Sequence, residues 1–312
     1  MNRGKGKLAF LILLLGAIGL AGGPAWAAQK GAAELTMELG PRPVGMGGAF
    51  VALADDQNAT TWNPAGLAQM QGYGLSVLHS FYVQDISWEH AAFGQALGNK
   101  SGWGVQVLYL NYGSMDKYLE VDGQPEKAGT FSPHAVLGAL GYGREVMANL
   151  AAGATVKLLS QNIDGQTYNG GALDAGLQFD QALPGLKLGA ALYNLGPKLA
   201  EVDLPAAVQV GGVYALPWRV QAADTWQMLL DVKLPFADFA GGTARLGTEY
   251  GFGPYLAVRA GYQARQDVGL GKVNGLAFGA SLKLSLFQLD YALASLGDLG
   301  MSHQVALVVA WK

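Results

Sequence analysis

The chain has 312 residues and no cysteine, only four histidines, few charges, and no apolar run long enough for a spanning helix after its first thirty residues. Without cysteine there is no disulfide framework, no thiolate nucleophile and no thiolate metal site. Charged residues make up 14%, low for a soluble protein of this size. They form no basic cluster of the kind a nucleic-acid surface needs. His79, His90, His134 and His303 follow neither His-x-His nor Glu-x-x-His spacing, and no Gly-x-Ser-x-Gly element is present. Asp55-Asp56 with Asn58 lacks the spacing of a calcium loop and reads as a solvated turn. The expectation is a protein that is not an enzyme, with no cofactor, no metal and no nucleic-acid partner.

What is present begins with an export signal. Arg3, Lys5 and Lys7 form a basic start, Leu8 to Gly22 an apolar stretch, and Ala25-Trp26-Ala27 a small-x-small site, so residues 1–27 read as a signal peptide cleaved after Ala27. Its loss takes three of the 20 basic residues and leaves 17 against 23 acidic ones, a net charge of −6. An exported chain without a spanning helix stays soluble or inserts as strands.

From Gly72 to Lys312 one pattern recurs: segments of about ten residues that alternate apolar with polar or small, cut by Gly, Pro, Asn and Asp. Such a segment covers one greasy face and one wet face at once. In Thr225 to Leu234, Trp226, Met228, Leu230, Val232 and Leu234 share a side, and only Leu229 interrupts the order. Fourteen such strands are expected, near 72–82, 85–97, 101–112, 130–144, 149–160, 170–181, 185–195, 205–216, 224–235, 242–250, 254–264, 273–284, 286–294 and 302–311. An even number suits a closed antiparallel barrel in lipid, and the 46 glycines suit tight turns and a lumen of small residues. The fold class is therefore all-β, a transmembrane barrel over 72–312, located in the outer membrane of a diderm bacterium and in contact with its lipid. In the third strand Trp103, Val105, Val107 and Tyr109 should face lipid, with Gly104 and Gln106 in the lumen.

Short turns at Asn99-Lys100, Met147-Ala148 and Pro184-Gly185 alternate with longer loops at Gly113 to Gly129, Asn162 to Asn169 and Gly196 to Leu204, which places the long loops outside the cell. Glu89, Lys157, Asp174, Asp180, Lys187, Asp231, Lys233, Arg245, Glu249, Arg259, Lys283 and Asp290 are expected on inward faces. Both signs occur there, which fits pairing across a packed interior better than a selective ring.

Residues 28–71 lack strand alternation and form a separate lead segment. A short helix over Gly48 to Ala54, a turn at Asp55-Asp56, and a second helix capped by Asn63 with Pro64 at its first position are expected. Gly45, Gly47, Gly48, Asp55, Asp56, Asn63, Pro64 and Gly66 are its marked residues.

At these residues the chain resembles a known group. Pro43 to Asp56, followed by Trp62 to Leu67, is similar to the N-terminal signature of the PorV/PorQ family of outer-membrane proteins, related to the FadL-type long-chain fatty acid transporters. The likeness continues at Asn194 to Pro197, Leu256 to Gly261, Asp290 to Ala292, Gly297 to Gly300 and His303. It implies a fourteen-stranded barrel with the N-terminal segment folded inside as a hatch. FadL-type chains are longer and carry larger ligand-capturing loops, and the terminal aromatic read by the insertion machinery is here Trp311, followed by Lys312. The resemblance points first to passage of hydrophobic or amphipathic small molecules. The alternative is a component of type IX protein secretion that binds secretion subunits or cargo.

Overall fold

The computed structural model describes residues 32–236, 241–264 and 274–312. The signal peptide, its cleavage site and the first residues of the lead segment lie outside the described residues. Sixteen strands are described: β1 (Tyr73–Phe81), β2 (Ser87–Gly98), β3 (Ser101–Asn111), β4 (Met115–Val121), β5 (Gln124–Phe131), β6 (His134–Met147), β7 (Leu150–Ile163), β8 (Gln166–Leu183), β9 (Leu186–Leu195), β10 (Ala207–Ala215), β11 (Thr225–Pro235), β12 (Thr243–Phe252), β13 (Leu256–Ala264), β14 (Leu276–Leu284), β15 (Phe287–Ser295) and β16 (Met301–Trp311).

Fourteen of them close one antiparallel barrel, with β3 paired directly to β6 and β1 to β16. At the closing seam Tyr73 faces Trp311 and Phe81 faces His303. Closure leaves no free sheet edge, the condition for strands in lipid.

β4 and β5 form a separate hairpin where the sequence suggested a plain loop. Asp122-Gly123, both at positive φ, makes the two-residue turn that Asp-Gly favours. The same chemistry at Asp164-Gly165 shortens the expected loop 162–169 to a two-residue turn between the long β7 and β8. The sixth-to-seventh strand turn is Ala148-Asn149, one residue later than expected.

The alternation of faces follows the sequence. In β3, Val105, Val107 and Tyr109 are exposed on the outer wall while Gly104, Gln106 and Leu108 are buried inside. Leu229 is no fault in the pattern: it points inward and packs on Met46, Ala49 and Phe50, while Leu230 faces out with Tyr214 and Leu186. Glu89 is a correction. It is exposed on the outer wall, where His79 Nδ1 lies 2.5 Å from its carboxylate, because Trp88 and His90 take the inward positions of β2. The remaining inward charges lie where alternation put them.

An aromatic belt runs along the rim that carries the short turns. Tyr73 stacks on Trp311 with ring centres 5.2 Å apart, and Phe93 meets Trp103 edge-on at 5.6 Å. Rings with one wet and one greasy side suit a membrane boundary. The exception among this rim's turns is Leu216 to Asp224, nine residues held by Asp224, which accepts from the Tyr250 hydroxyl at 2.8 Å and from the Gln221 and Gly253 N–H groups.

Candidate functional site: the N-terminal segment and the lumen

Residues 32–71 lie within the ring of strands and touch each of them. Gln57 meets Gly74 of β1, Met70 meets Gly94 of β2 and Thr60 meets Gly104 of β3. Pro64 lies against Gly143 of β6 and Gly153 of β7, and Asn63 against Gly176 of β8. Val51 and Ala52 cover Gly189 of β9, and the Gly48 carbonyl accepts from Gln209 of β10. Phe50 and Val51 donate their N–H groups to Asp231 of β11 at 2.8 and 2.9 Å. Met46, Gly47 and Gly45 seat on β12, β13 and β14, the turn Pro41–Gly45 packs on β15, and Gln304 of β16 donates to the Glu38 carbonyl.

The local folding of the segment differs from the expectation at one place. Helical turns form over Pro41–Gly45 and Ala59–Trp62, while Gly48 to Ala54 is a series of turns rather than a helix. Gly47 and Gly48 sit at φ 63° and 72°, which ends the first helix, and Asp231 captures the N–H groups a helix starting there would leave open. Asn63 caps as expected: its side chain accepts from the Ala65 N–H at 3.2 Å, and Pro64 opens a 3₁₀ helix to Gln69. The Asn63 amide also donates to the Val51 carbonyl at 2.7 Å and the Leu177 carbonyl at 3.0 Å, so the same residue ties the segment to the wall. Gly66 leaves no room for a Cβ beside the Ala54 carbonyl, which joins the two halves of the segment.

Asp55 and Asp56 are no solvated turn. Both pair with Arg42, at 2.6 and 2.9 Å, and Arg42 also bonds Glu249 of β12, which Arg259 of β13 holds at 2.6 Å. Arg42 stands between two prolines immediately before the motif, and that position was its only signal in the sequence. At the upper end of the segment, Glu34 accepts from Gln161 at 2.9 Å and from the Tyr112 hydroxyl at 3.4 Å. Burial and the nearby Glu34 carboxylate push the Tyr112 hydroxyl well above its ordinary range, keeping it a donor.

The fill is uneven. On the side of β1–β3 and β6–β8, Leu35 and Leu39 close against Leu78, Trp88, Leu108, Leu110, Leu137 and Leu159. On the side of β11–β16 two cavities remain. An upper one of about 320 Å³, toward the β4–β5 rim, is lined by Lys233, Arg245, Gln263, Ala277, Ala294 and Gln304. A lower one of about 280 Å³ is lined by Arg42, Glu249, Arg259, Ser281, Lys283 and Asp290.

Between the two, each strand presents a small residue: Gly247, Gly261, Gly279, Ala292 and Ala306 on β12 to β16. Gly45 and Gly47 rest on this belt backbone to backbone; a Cβ on Gly45 would lie 2.9 Å from the Gly279 Cα, and one on Gly261 would collide with the Gly47 nitrogen.

Comparison with known proteins bears on this arrangement. The profile of an uncharacterised protein family, UPF0164, matches residues 24–151. Comparison with curated protein sequences finds no match. Among solved structures, the toluene transporter TodX of Pseudomonas putida matches with TM-score 0.59 and 13% identity over 86% of this chain and 96% of that one. The fold is that of an outer-membrane β-barrel. A deltaS2 mutant of TodX, titled a monoaromatic hydrocarbon channel, gives TM-score 0.60 at 13% identity over 87% and 97% of the two chains. A FadL homologue of Pseudomonas aeruginosa gives TM-score 0.51 at 10% identity over 86% and 97%. At such identities the likeness is one of fold.

Proposed function

We propose that the chain is an outer-membrane channel, mature from Ala28, in which residues 32–71 act as a hatch that controls passage of small amphipathic molecules. The supporting observation is the interruption of two lumenal cavities by a single rank of backbone contacts, Gly45 and Gly47 on Gly279 and Gly261. A barrier made of glycine on glycine has no interlocked side chains, so a shift of a few ångströms joins the cavities. The names of the fold relatives, a toluene transporter and a FadL homologue, favour transport over the secretion alternative. Kinship with the PorV/PorQ group rests on the motifs Pro43 to Asp56 and Trp62 to Leu67 and is part of this proposal. The outer wall would meet lipid, and the β16 strand ending at Trp311 would be offered to the insertion machinery.

Planar-bilayer conductance tests the reading. The intact protein should conduct poorly, and deletion of residues 32–70 should leave a folded barrel with a wider, stable pore. Equal conductance in the two proteins would sink it.

A further inference from the structure

Four lysines point into the lumen from the strands: Lys157, Lys187, Lys233 and Lys283. Two are neutralised in place. Lys157 lies 2.6 Å from Asp174 and is almost fully buried with it, and Lys187 bonds Gln69 and lies 3.8 Å from Asp180. The two lumenal arginines are also engaged, Arg245 with Glu38 at 2.7 Å and Arg259 with Glu249. Lys233 and Lys283 differ. Among the described residues neither has a carboxylate within ion-pair distance. The Lys233 ammonium lies 5.0 Å from the centre of the Tyr193 ring, in a cavity that Arg245 and the Glu38 carboxylate, itself held by Arg245 and Gln263, also line.

These two unpaired lysines are not scattered. Lys233 lines the upper cavity and Lys283 the lower one, so one stands on each side of the glycine belt. Lys233 is partly buried in the lumen, where a cation left without a partner costs free energy that a matching anion would recover, whereas Lys283 is exposed at the short-turn mouth of the lower cavity. Each cavity also offers apolar wall beside its lysine: Val44, Trp88 and Leu296 above, Leu256, Ala257 and Val308 below. Volumes of about 320 and 280 Å³ stand at the small end of ligand pockets.

We infer that the lumen takes small organic monoanions, a carboxylate on a short apolar body, with Lys233 and Lys283 as successive stations above and below the belt. The inference rests on the reading of the lumen as a route, and it narrows the passenger from amphipathic molecules in general to those with one negative charge. It also sets this chain apart from a channel for plain hydrocarbons, which would leave both ammonium groups unmatched.

Calorimetric titration of the purified full chain with benzoate, benzamide and benzyl alcohol tests this directly, because the three share a ring and differ in charge. Benzoate should bind at least about tenfold tighter than either neutral compound, the span expected for a charge-assisted hydrogen bond. Lys233→Gln should weaken benzoate by a similar factor, and Lys117→Gln on the outer hairpin should not. Equal binding of the three compounds, or no binding of benzoate to the unaltered chain, overturns the inference whether or not the variant folds. The two readings fail separately. Selective benzoate binding with no effect of the 32–70 deletion on conductance removes the hatch and keeps the anion site, and a pore opened by deletion without benzoate selectivity does the reverse.

Discussion

Gly47 of the N-terminal segment lies so close to Gly261 of β13 that a side chain on Gly261 would overlap the Gly47 nitrogen and the Met46 carbonyl carbon. The neighbours are backbone, so they cannot swing aside as a flexible side chain would. Gly261→Val should therefore lift the segment off the belt and raise resting conductance while the barrel remains closed. Gly138→Ala is the control. No atom lies within 4 Å of its Cβ position, and its effect on stability should stay within about 0.5 kcal/mol. Unchanged conductance in Gly261→Val would show that the belt is not the barrier.

Arg42 is the cation that joins Asp55, Asp56 and Glu249, with a fifth of its side chain or less exposed. Replacing it with Met leaves three carboxylates close together, with Arg259 on Glu249 and Lys187 near Asp55 as the remaining counter-charges. The expected loss is about 2 to 3 kcal/mol, below the figure for a fully buried pair because Asp55 is partly open to water. Denaturant titration measures it. A loss no larger than that of Lys100→Met, whose pairing with Glu145 is at the exposed rim, would mean the cluster does not anchor the segment.

Lipid exposure of the wall is tested by depth. Val105 stands at the middle of β3 and Leu97 at the short-turn end of β2, both exposed on the outer face. Val105→Lys should cost about 2 to 4 kcal/mol and Leu97→Lys about 0 to 1 kcal/mol, measured by unfolding from lipid vesicles. A lysine at Gln106 is no fair comparison, because that side chain is bonded to Thr61 and His90. Similar losses at Val105 and Leu97 would argue against a bilayer around this wall.

The loop Leu216 to Asp224 should loosen in acid. The Tyr250 hydroxyl, followed by the N–H groups of Gln221 and Gly253, holds the Asp224 carboxyl below its usual range. A carboxyl lowered by folding stabilises fully above its unfolded pKa of about 3.9, and that contribution is lost as pH falls through the lower folded value. Trp218, in this loop and 6.4 Å from Trp226, should keep its emission from about pH 7 to 5 and change below about pH 4. Asp224→Asn should abolish the acid transition; if the transition persists there, another group causes it.

The strands were legible because lipid outside and a packed interior inside impose opposite demands on successive residues, and a period of two survives errors at the ends. Asn63 was legible for a similar reason, since capping is local chemistry. What escaped depends on distant partners. The absence of a helix over Gly48 to Ala54 is dictated by Asp231, 181 residues from Phe50. Arg42 gains its meaning from Glu249 and Glu89 loses its inward place to Trp88 and His90, neither of which a local pattern reports. The β4–β5 hairpin had its signal, Asp122-Gly123, but strands that bury no face lack the alternation by which the others were found.

Gly72, at φ 68°, turns the chain from the segment directly into β1, and its Cβ position is filled by the Trp311 carbonyl of β16. The N-terminal segment is thus enclosed by the last strand of the chain, and the ring cannot shut until β16 has been made. Before that moment residues 32–71 have neither of their seam walls, so their full set of contacts with the ring forms only once β16 has paired with β1. Once shut, the join at Gly72 leaves the segment on a leash of no slack at the short-turn rim: it can tilt or slide within its ring but cannot depart through the far mouth.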